Sequence, residues 1–324
     1  MSTPSRFTLY WSNLVSFEEC PQKFLWGRGW GTIDVGGGPG KKKPKPLQKS
    51  EHHAIMGIAI QAAIERFYNH ELWRHLRGKP LIDRLLAEAN KKLELELARK
   101  YIDWRLAPPK SEMVETIVNG VRGYLRTMKA HHLLGPYAKA EAELLGYVNQ
   151  YTPIGGRVDL LIRRDADPNK GVTIIDGKNG KRYKDGKGGL MTYTDPDQLR
   201  WYALCFHLAY ERALPDRLGF CYYRYPYGDP EVGVDGQLTG GTETGVVWVP
   251  FTVADLKGLA ERAVNTLKNM DQERFTPTPT PKTCRFCDYD SVCPARVEQK
   301  AHNTRKPRRD DMPVTVGIET ISLD

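Results

Sequence analysis

Long apolar runs are missing from this sequence. Nowhere do about eighteen consecutive apolar residues occur, the length that a bilayer-spanning helix needs, so no membrane span is expected. The opening segment MSTPSRFTLYWSNLVSF has no charged start, no uninterrupted apolar stretch and no small-residue cleavage site. A secretory signal is therefore not expected, and a cytoplasmic location is the default. Cysteine is scarce, with six among 324 residues, and in a chain without a secretory signal disulfides are not the first expectation. Internal repeats are absent. Acidic residues are the minority, 39 against 48 basic ones, which leaves a formal charge of +9. That surplus suits a polyanionic partner, because neutralised phosphates release counterions and tighten binding.

What is present is enough for a sizeable core: 40% of the residues are hydrophobic. The length fits one α/β core with appended segments, or two domains. Residues 7–30 read as an amphipathic helix with Leu14, Phe17, Phe24, Leu25 and Trp26 as its apolar set. GTIDVGGGPGKKKPKPLQKS (31–50) breaks all regularity and reads as a mobile basic loop, a solvated linker rather than a dedicated DNA contact. Helical spacing returns at 52–70 and 79–105 and again at 111–130, through Ile60, Ile64 and Phe67, then Leu85, Leu86, Leu93 and Leu97. The middle changes character. Short runs rich in Val, Ile and Leu at 140–149, 156–164 and 172–178 predict strands. A loop (179–196), a helix from Pro196 to about 212, strands at 219–228 and 245–250 and a helix at 252–270 complete the pattern.

Two of these strands frame a turn centred on residue 168. Reflection about it puts Asp159 across from residue 177, next to Asp176, with cross-strand Cβ atoms about 5 Å apart. Asp176 and Lys178, two apart on a strand, share a face. The sequence thus predicts two carboxylates and an ammonium on one patch. Carboxylates so close repel unless one protonates or a cation sits between them, and hard oxygens suit Mg²⁺ or Mn²⁺. Such an ion makes a nucleophile from water and stabilises charge on a scissile phosphate, while Lys178 orients the water or offsets that charge. A D-x-K triplet alone also opens ordinary polar turns; the hairpin geometry separates the two readings. Asp165 and Asp167 are assigned to turn chemistry.

On the next helix Gln198 and Tyr202 stand at i and i+4 on one face. Cys284, Cys287 and Cys293 form C-x₂-C-x₅-C, and Cys20, followed by Pro21, is the obvious fourth ligand. Spacing alone leaves zinc and an iron–sulfur cluster open. Cys205 and Cys221 read as buried, inert thiols. Lys181, Arg182, Lys184 and Lys187, straight after the strand with Lys178, are candidates for phosphate contacts. Tyr222, Tyr223, Arg224, Tyr225 and Tyr227 could stack on bases, but aromatics in a strand mostly fill a core.

GGRVDLLIRR (155–164) followed by VTIIDGKNG (172–180) resembles the paired active-site strands of PD-(D/E)XK nucleases, and Gln198…Tyr202 resembles the Q-x-x-x-Y motif of their RecB-like exonucleases. The resemblance implies that Asp159 and Asp176 are acidic ligands, that Lys178 is the catalytic lysine, that the Gly177 carbonyl adds a metal contact, and that Gln198 and Tyr202 help hold DNA. The family's early G-x-x-x-H is here Gly57-Ile58-Ala59-Ile60-Gln61. Gln61 therefore stands where the metal-binding histidine is expected, as an amide ligand, a cause of altered metal preference, or a structural residue. The distant Cys20 plus the C-terminal triplet is similar to the AddB-type and CRISPR-associated exonucleases, which implies a 4Fe–4S cluster.

The expected fold is α/β, a restriction-endonuclease-like core with a mixed central sheet flanked by helices. Residues 1–30 supply an N-terminal helix with the first cluster cysteine, 31–50 the flexible basic loop and 51–135 a helical region. Residues 136–270 supply the nuclease core and 271–300 the cysteine segment, packed back on residue 20, before a tail (301–324) read as disordered. The expected activity is Mg²⁺- or Mn²⁺-dependent hydrolysis of single-stranded DNA from an end, in recombination, repair, phage DNA processing or CRISPR adaptation, with proteins of those processes as partners. The alternative is a non-catalytic iron–sulfur subunit that binds DNA or a partner.

Overall fold

A computed structural model describes residues 7–28, 50–135, 137–164, 167, 171–178, 183–184, 190–191, 194–222, 231–232, 238–239, 245–285, 287–290, 293 and 295. The 31–49 part of the basic loop and the 301–324 tail lie outside these residues, as do Asp165, Lys181, Arg182, Lys187, Tyr223, Arg224, Tyr225 and Tyr227. The chain divides into two compact units, one of residues 1–18 and 48–274, the other of residues 19–47 and 275–324.

In chain order the elements begin with β1 (Leu9–Tyr10), α1 (Trp11–Glu19), α2 (Pro21–Arg28), α3 (His52–Asn69), α4 (Leu72–His75), α5 (Gly78–Arg99) and α6 (Lys110–Ala130). There follow β2 (Ala138–Tyr147), β3 (Pro153–Ile162), β4 (Thr173–Lys178), β5 (Tyr183–Lys184), β6 (Leu190–Met191) and α7 (Pro196–Ala209). The last are β7 (Arg217–Tyr222), β8 (Glu231–Val232), β9 (Leu238–Thr239), β10 (Val246–Val249), α8 (Val253–Asp271) and α9 (Pro281–Arg285).

The single helix expected over 7–30 is instead a short strand and two helices. Leu9 and Tyr10 pair in parallel with Ile154 and Gly155, a non-local partnership that no local pattern announces. The helix then breaks at Cys20, because Pro21 has no N–H to donate and fits only a first turn, where it opens α2. The helix expected to run to 105 stops at Arg99, ahead of the Pro108-Pro109 pair.

The main sheet runs β1-β3-β4-β7-β10, with β2 laid antiparallel along the whole of β3. Strands β4 and β7 are parallel and joined through α7, the crossover that parallel pairing requires. Helices α3, α5 and α6 bury Ile60, Phe67, Leu85, Leu93, Ile117 and Tyr124 in one cluster with Leu160, Ile175 and Val246 of the sheet. Since Ile175 points into that cluster, its strand neighbour Asp176 points the other way. Asn69 at the end of α3 reaches β2, accepting from the Ala140 N–H at 3.0 Å and donating to the Ala140 carbonyl at 3.2 Å.

Two caps fix the helices around the site. Asp195 accepts a hydrogen bond from the Asp197 N–H at 2.9 Å, with Pro196 in the first turn of α7. Thr252 and Asp255 form a reciprocal capping box on α8. Caps of this kind contribute about 1 kcal/mol each. No helix among the described residues is long and apolar enough to cross a membrane.

In the second unit Thr278 Oγ1 donates to the Glu19 carbonyl at 3.0 Å, and Trp26 meets Tyr289 edge-on with centroids 5.3 Å apart. The residues around Cys20 thus pack on the cysteine segment, within one unit.

Candidate active site

Strands β3 and β4 pair as Leu160↔Ile175, Leu161↔Ile174 and Ile162↔Thr173, then part. Continuing that register sets Asp159 level with Asp176 itself, one residue off the sequence expectation, because the turn is centred half a residue earlier. Where the strands part, the freed Gly177 N–H donates to Asp159 Oδ2 at 2.7 Å. Asp176 is 3% exposed. Its Oδ1 accepts from Gln198 Nε2 at 3.2 Å, and its Oδ2 faces the Lys178 ammonium as an ion pair.

Helix α7 supplies the connector. Gln198 accepts from Lys178 Nζ at 3.0 Å through Oε1, while its Nε2 serves both Asp176 and the Tyr202 hydroxyl, the latter at 3.1 Å. One amide therefore touches the carboxylate, the lysine and the tyrosine singled out in the sequence. Tyr202 fits because residue 156 is glycine: a Cβ there would come within 2.9 Å of the Tyr202 ring. We expect Gly156→Ala to displace the ring, to cost about 1–3 kcal/mol in stability by overpacking and to lower activity with it. Denaturant unfolding beside a cleavage assay checks this, and an unchanged midpoint with full activity would contradict the packing argument.

Electrostatics mark the same patch. Burial first, and the Asp176 charge second, hold the Asp159 carboxyl well above the usual carboxylate range, against the pull of the Gly177 hydrogen bond. Asp176 is raised as well, chiefly by burial, with Lys178 opposing. A raised carboxyl binds more protons in the folded than in the unfolded chain. Stability from this pair is thus greatest below the unfolded carboxylate pKa and falls as pH rises toward the folded values. In chelator, Asp159→Asn should therefore be more stable than the unaltered chain at neutral pH, by about 0.5–2 kcal/mol, an advantage that shrinks toward acid pH. Thermal unfolding across pH tests this; an advantage independent of pH would refute the charge explanation.

Glu141 carries no marker in the sequence. It sits in the alternating run AEAELLG, where it looks like one more solvent-facing strand residue. In the structure its φ is 53°, the left-handed region, and the ladder skips it between Ala140↔Leu160 and Ala142↔Val158, directly across from Asp159. Backbone held in that region by a non-glycine residue costs on the order of 1–3 kcal/mol and persists where the surroundings enforce it. Glu141 pairs with Arg157 and accepts from Gln61 Nε2 at 3.1 Å; the same nitrogen lies 3.4 Å from the Asp159 carbonyl. Both partners are acceptors, so the nitrogen of the Gln61 amide, and not its oxygen, faces them. A cavity of about 360 Å³ opens here, lined by Gln61, Glu65, Lys92, Glu141, Arg157 and Asp159 among others.

The donor set fits a hard divalent cation. It is all oxygen, and Asp176 Oδ2 is buried with no hydrogen-bond donor satisfying it beyond the lysine cation. Among the described residues no three His, Cys, Asp or Glu side chains form a ready-made metal cage.

Cys20, Cys284, Cys287 and Cys293 are all half-buried, unbridged thiols of the second unit. Burial, with Cys20 and Cys284 nearby, pushes the Cys287 thiol up, and its sulfur accepts from the Tyr289 N–H at 3.4 Å. Cys205 and Cys221 are fully buried and their thiols are raised by burial, as inert core residues are. Tyr222 is buried, as a core-filling aromatic should be.

No curated protein matches the chain. A sequence profile of the PD-(D/E)XK nuclease superfamily matches residues 11–294, a span that takes in α1, every strand of the main sheet after β1, α7 and every cysteine discussed above. The chain belongs to the PD-(D/E)XK nuclease superfamily.

Proposed function

We propose that this nuclease is a RecB-like exonuclease that hydrolyses single-stranded DNA from an end, with Asp159, Asp176 and the Gly177 carbonyl as the seat of Mg²⁺ or Mn²⁺. The observation that carries the reading is the pairing of half-buried Asp159, held by the Gly177 N–H, with buried Asp176, which Gln198 joins to Lys178 and Tyr202. When bound, the divalent ion supplies Lewis acidity toward the phosphodiester and lowers the pKa of the attacking water. The protein's part is positioning. Gln198 holds the Lys178 ammonium against Asp176, where it can orient water or offset charge building on the phosphate. Gln198 and Tyr202 of α7 are assigned to the DNA strand, as are Lys181 and Arg182, which follow β4 in the sequence. Glu141 adds a third carboxylate opposite Asp159, and Gln61 steadies it through the amide nitrogen. Gln61 would then be a positioning residue, with its oxygen left for a water or the ion.

A 4Fe–4S cluster on Cys20, Cys284, Cys287 and Cys293 belongs to the same proposal. It is supported by the cysteine spacing and by the four cysteines belonging to one unit. Its role is to staple the second unit. The biological setting we propose is DNA processing in recombination, repair, phage replication or CRISPR adaptation, in the cytoplasm and with partners from those processes.

Digestion of end-labelled linear single strands, closed circular single strands and duplexes, in Mg²⁺ and in Mn²⁺, tests the reading. Mononucleotides or short oligomers released from linear strands alone are the expected result. Cutting of circles would replace the exonuclease assignment with an endonuclease. DNA binding without cleavage in either metal would favour the second reading, a non-catalytic subunit, for which glutamine at position 61 is the specific support.

A further inference from the structure

A second cavity, of about 620 Å³, lies in the helical layer and takes no part in the site described above. Its floor is apolar: Phe67 of α3, Trp73 of α4, Leu81 and Ile82 of α5, Leu125 of α6, and Leu134. Its rim carries Arg77, Arg126 and Lys129, all exposed, and among the described residues no acidic one lines it. Some cations on these helices are neutralised by neighbours, as in Arg74–Glu71, Lys79–Asp83 and Lys92–Glu96. Among the described residues the three rim cations have no such partner, and Arg77 donates only to the Leu76 carbonyl, at 2.9 Å. Three like charges around an apolar pocket repel one another unless an anion joins them.

The volume falls within the range of about 300–1,000 Å³ typical of small-ligand pockets. The chemistry asks for a ligand with a flat or apolar body and flanking negative charge. Position narrows this further. Phe67 follows Gln61 by six residues on α3, a rise of about 9 Å, or two to three nucleotides of a stacked strand.

We infer that this cavity receives an unpaired base of the DNA strand, a few nucleotides from the bond being cut. The base packs against Trp73 and the aliphatic floor, and its phosphates lie on Arg77, Arg126 and Lys129. The inference rests on the proposed nuclease reading and deepens it. A base can enter only when it is unpaired, so the pocket is a selector for single strands.

The experiment is fluorescence anisotropy in chelator with two labelled strands of equal length, a thymidine homopolymer and an abasic strand. The full chain is compared with Arg126→Glu/Lys129→Glu, with Trp73→Ala and with Trp73→Phe. The charge-reversed variant, altered at exposed positions that leave the core intact, should bind both strands at least about tenfold more weakly. Trp73→Ala should lose at least about fivefold on the thymidine strand and nothing on the abasic one, and Trp73→Phe should recover most of that loss. Hydrolysis of thymidine 5′-p-nitrophenyl phosphate, a diester too small to reach both sites, should be unchanged in every variant. Undiminished binding of the thymidine strand by either the charge-reversed or the Trp73→Ala variant overturns the inference, as does an equal loss on both strands in Trp73→Ala. Failure of the unaltered chain to cleave the small diester would instead count against the nuclease reading, and the binding comparison would still decide the pocket.

Discussion

Asp176→Ala should lower cleavage of single-stranded DNA by a factor on the order of 10³ or more while the strand still binds. The carboxylate is buried, paired with Lys178 and bonded to Gln198, so its removal takes away a metal seat and the anchor of the lysine together. Binding should hold or tighten, since a negative charge facing the phosphates is gone. Lys178→Ala should cost less, about 10²–10³, because the metal seat remains. Cleavage kinetics and anisotropy on the same preparations check both. Retained cleavage in Asp176→Ala would sink the assignment of the site; loss of binding in step with cleavage would mean that the variant is misfolded.

The second large effect concerns the cysteines. Anaerobically purified protein should carry about four iron atoms per chain and absorb in the visible. Cys20→Ser should lose the iron and several degrees of melting temperature. The proposed cluster would draw its ligands from two stretches of sequence far apart, so its loss would reopen a long loop in the unfolded chain. Colourless protein containing zinc would convert the site to a zinc staple and leave the fold unchanged. Protein with neither metal and an unaltered melting temperature on Cys20→Ser would remove the metal altogether.

Much of this was legible in the sequence, for identifiable reasons. Helices α3, α5 and α6 announce themselves through repeating apolar positions such as Ile60, Ile64 and Phe67, which all end in one core. The β3–β4 hairpin is a local event, so pattern and turn place Asp159 near Asp176 to within one residue. Gln198 and Tyr202 share a helical face by arithmetic, and the structure brings both to Asp176 and Lys178. What escaped is non-local or conformational. Strand β1 exists only because β3 pairs with it. Glu141 carries no marker: left-handed backbone usually advertises itself as glycine or asparagine, and here tertiary contacts to Gln61 and Arg157 hold a glutamate there instead. The apolar cavity at Trp73 escaped because its lining comes from four helices whose mutual placement no single stretch encodes.

The contact between Asn69 and Ala140 has a consequence for association. Among the described strands β2 pairs only with β3, so its outer side is an open edge, the kind of surface onto which a foreign strand can dock. The Asn69 amide presents one donor and one acceptor to the Ala140 backbone, as a neighbouring strand would, and so imitates a strand one residue long. An incoming peptide must displace that side chain and the end of α3 behind it before it can zip along β2. Growth of the sheet beyond its own chain is thereby blocked near one end of this strand, which closes one route to fibrillar self-association.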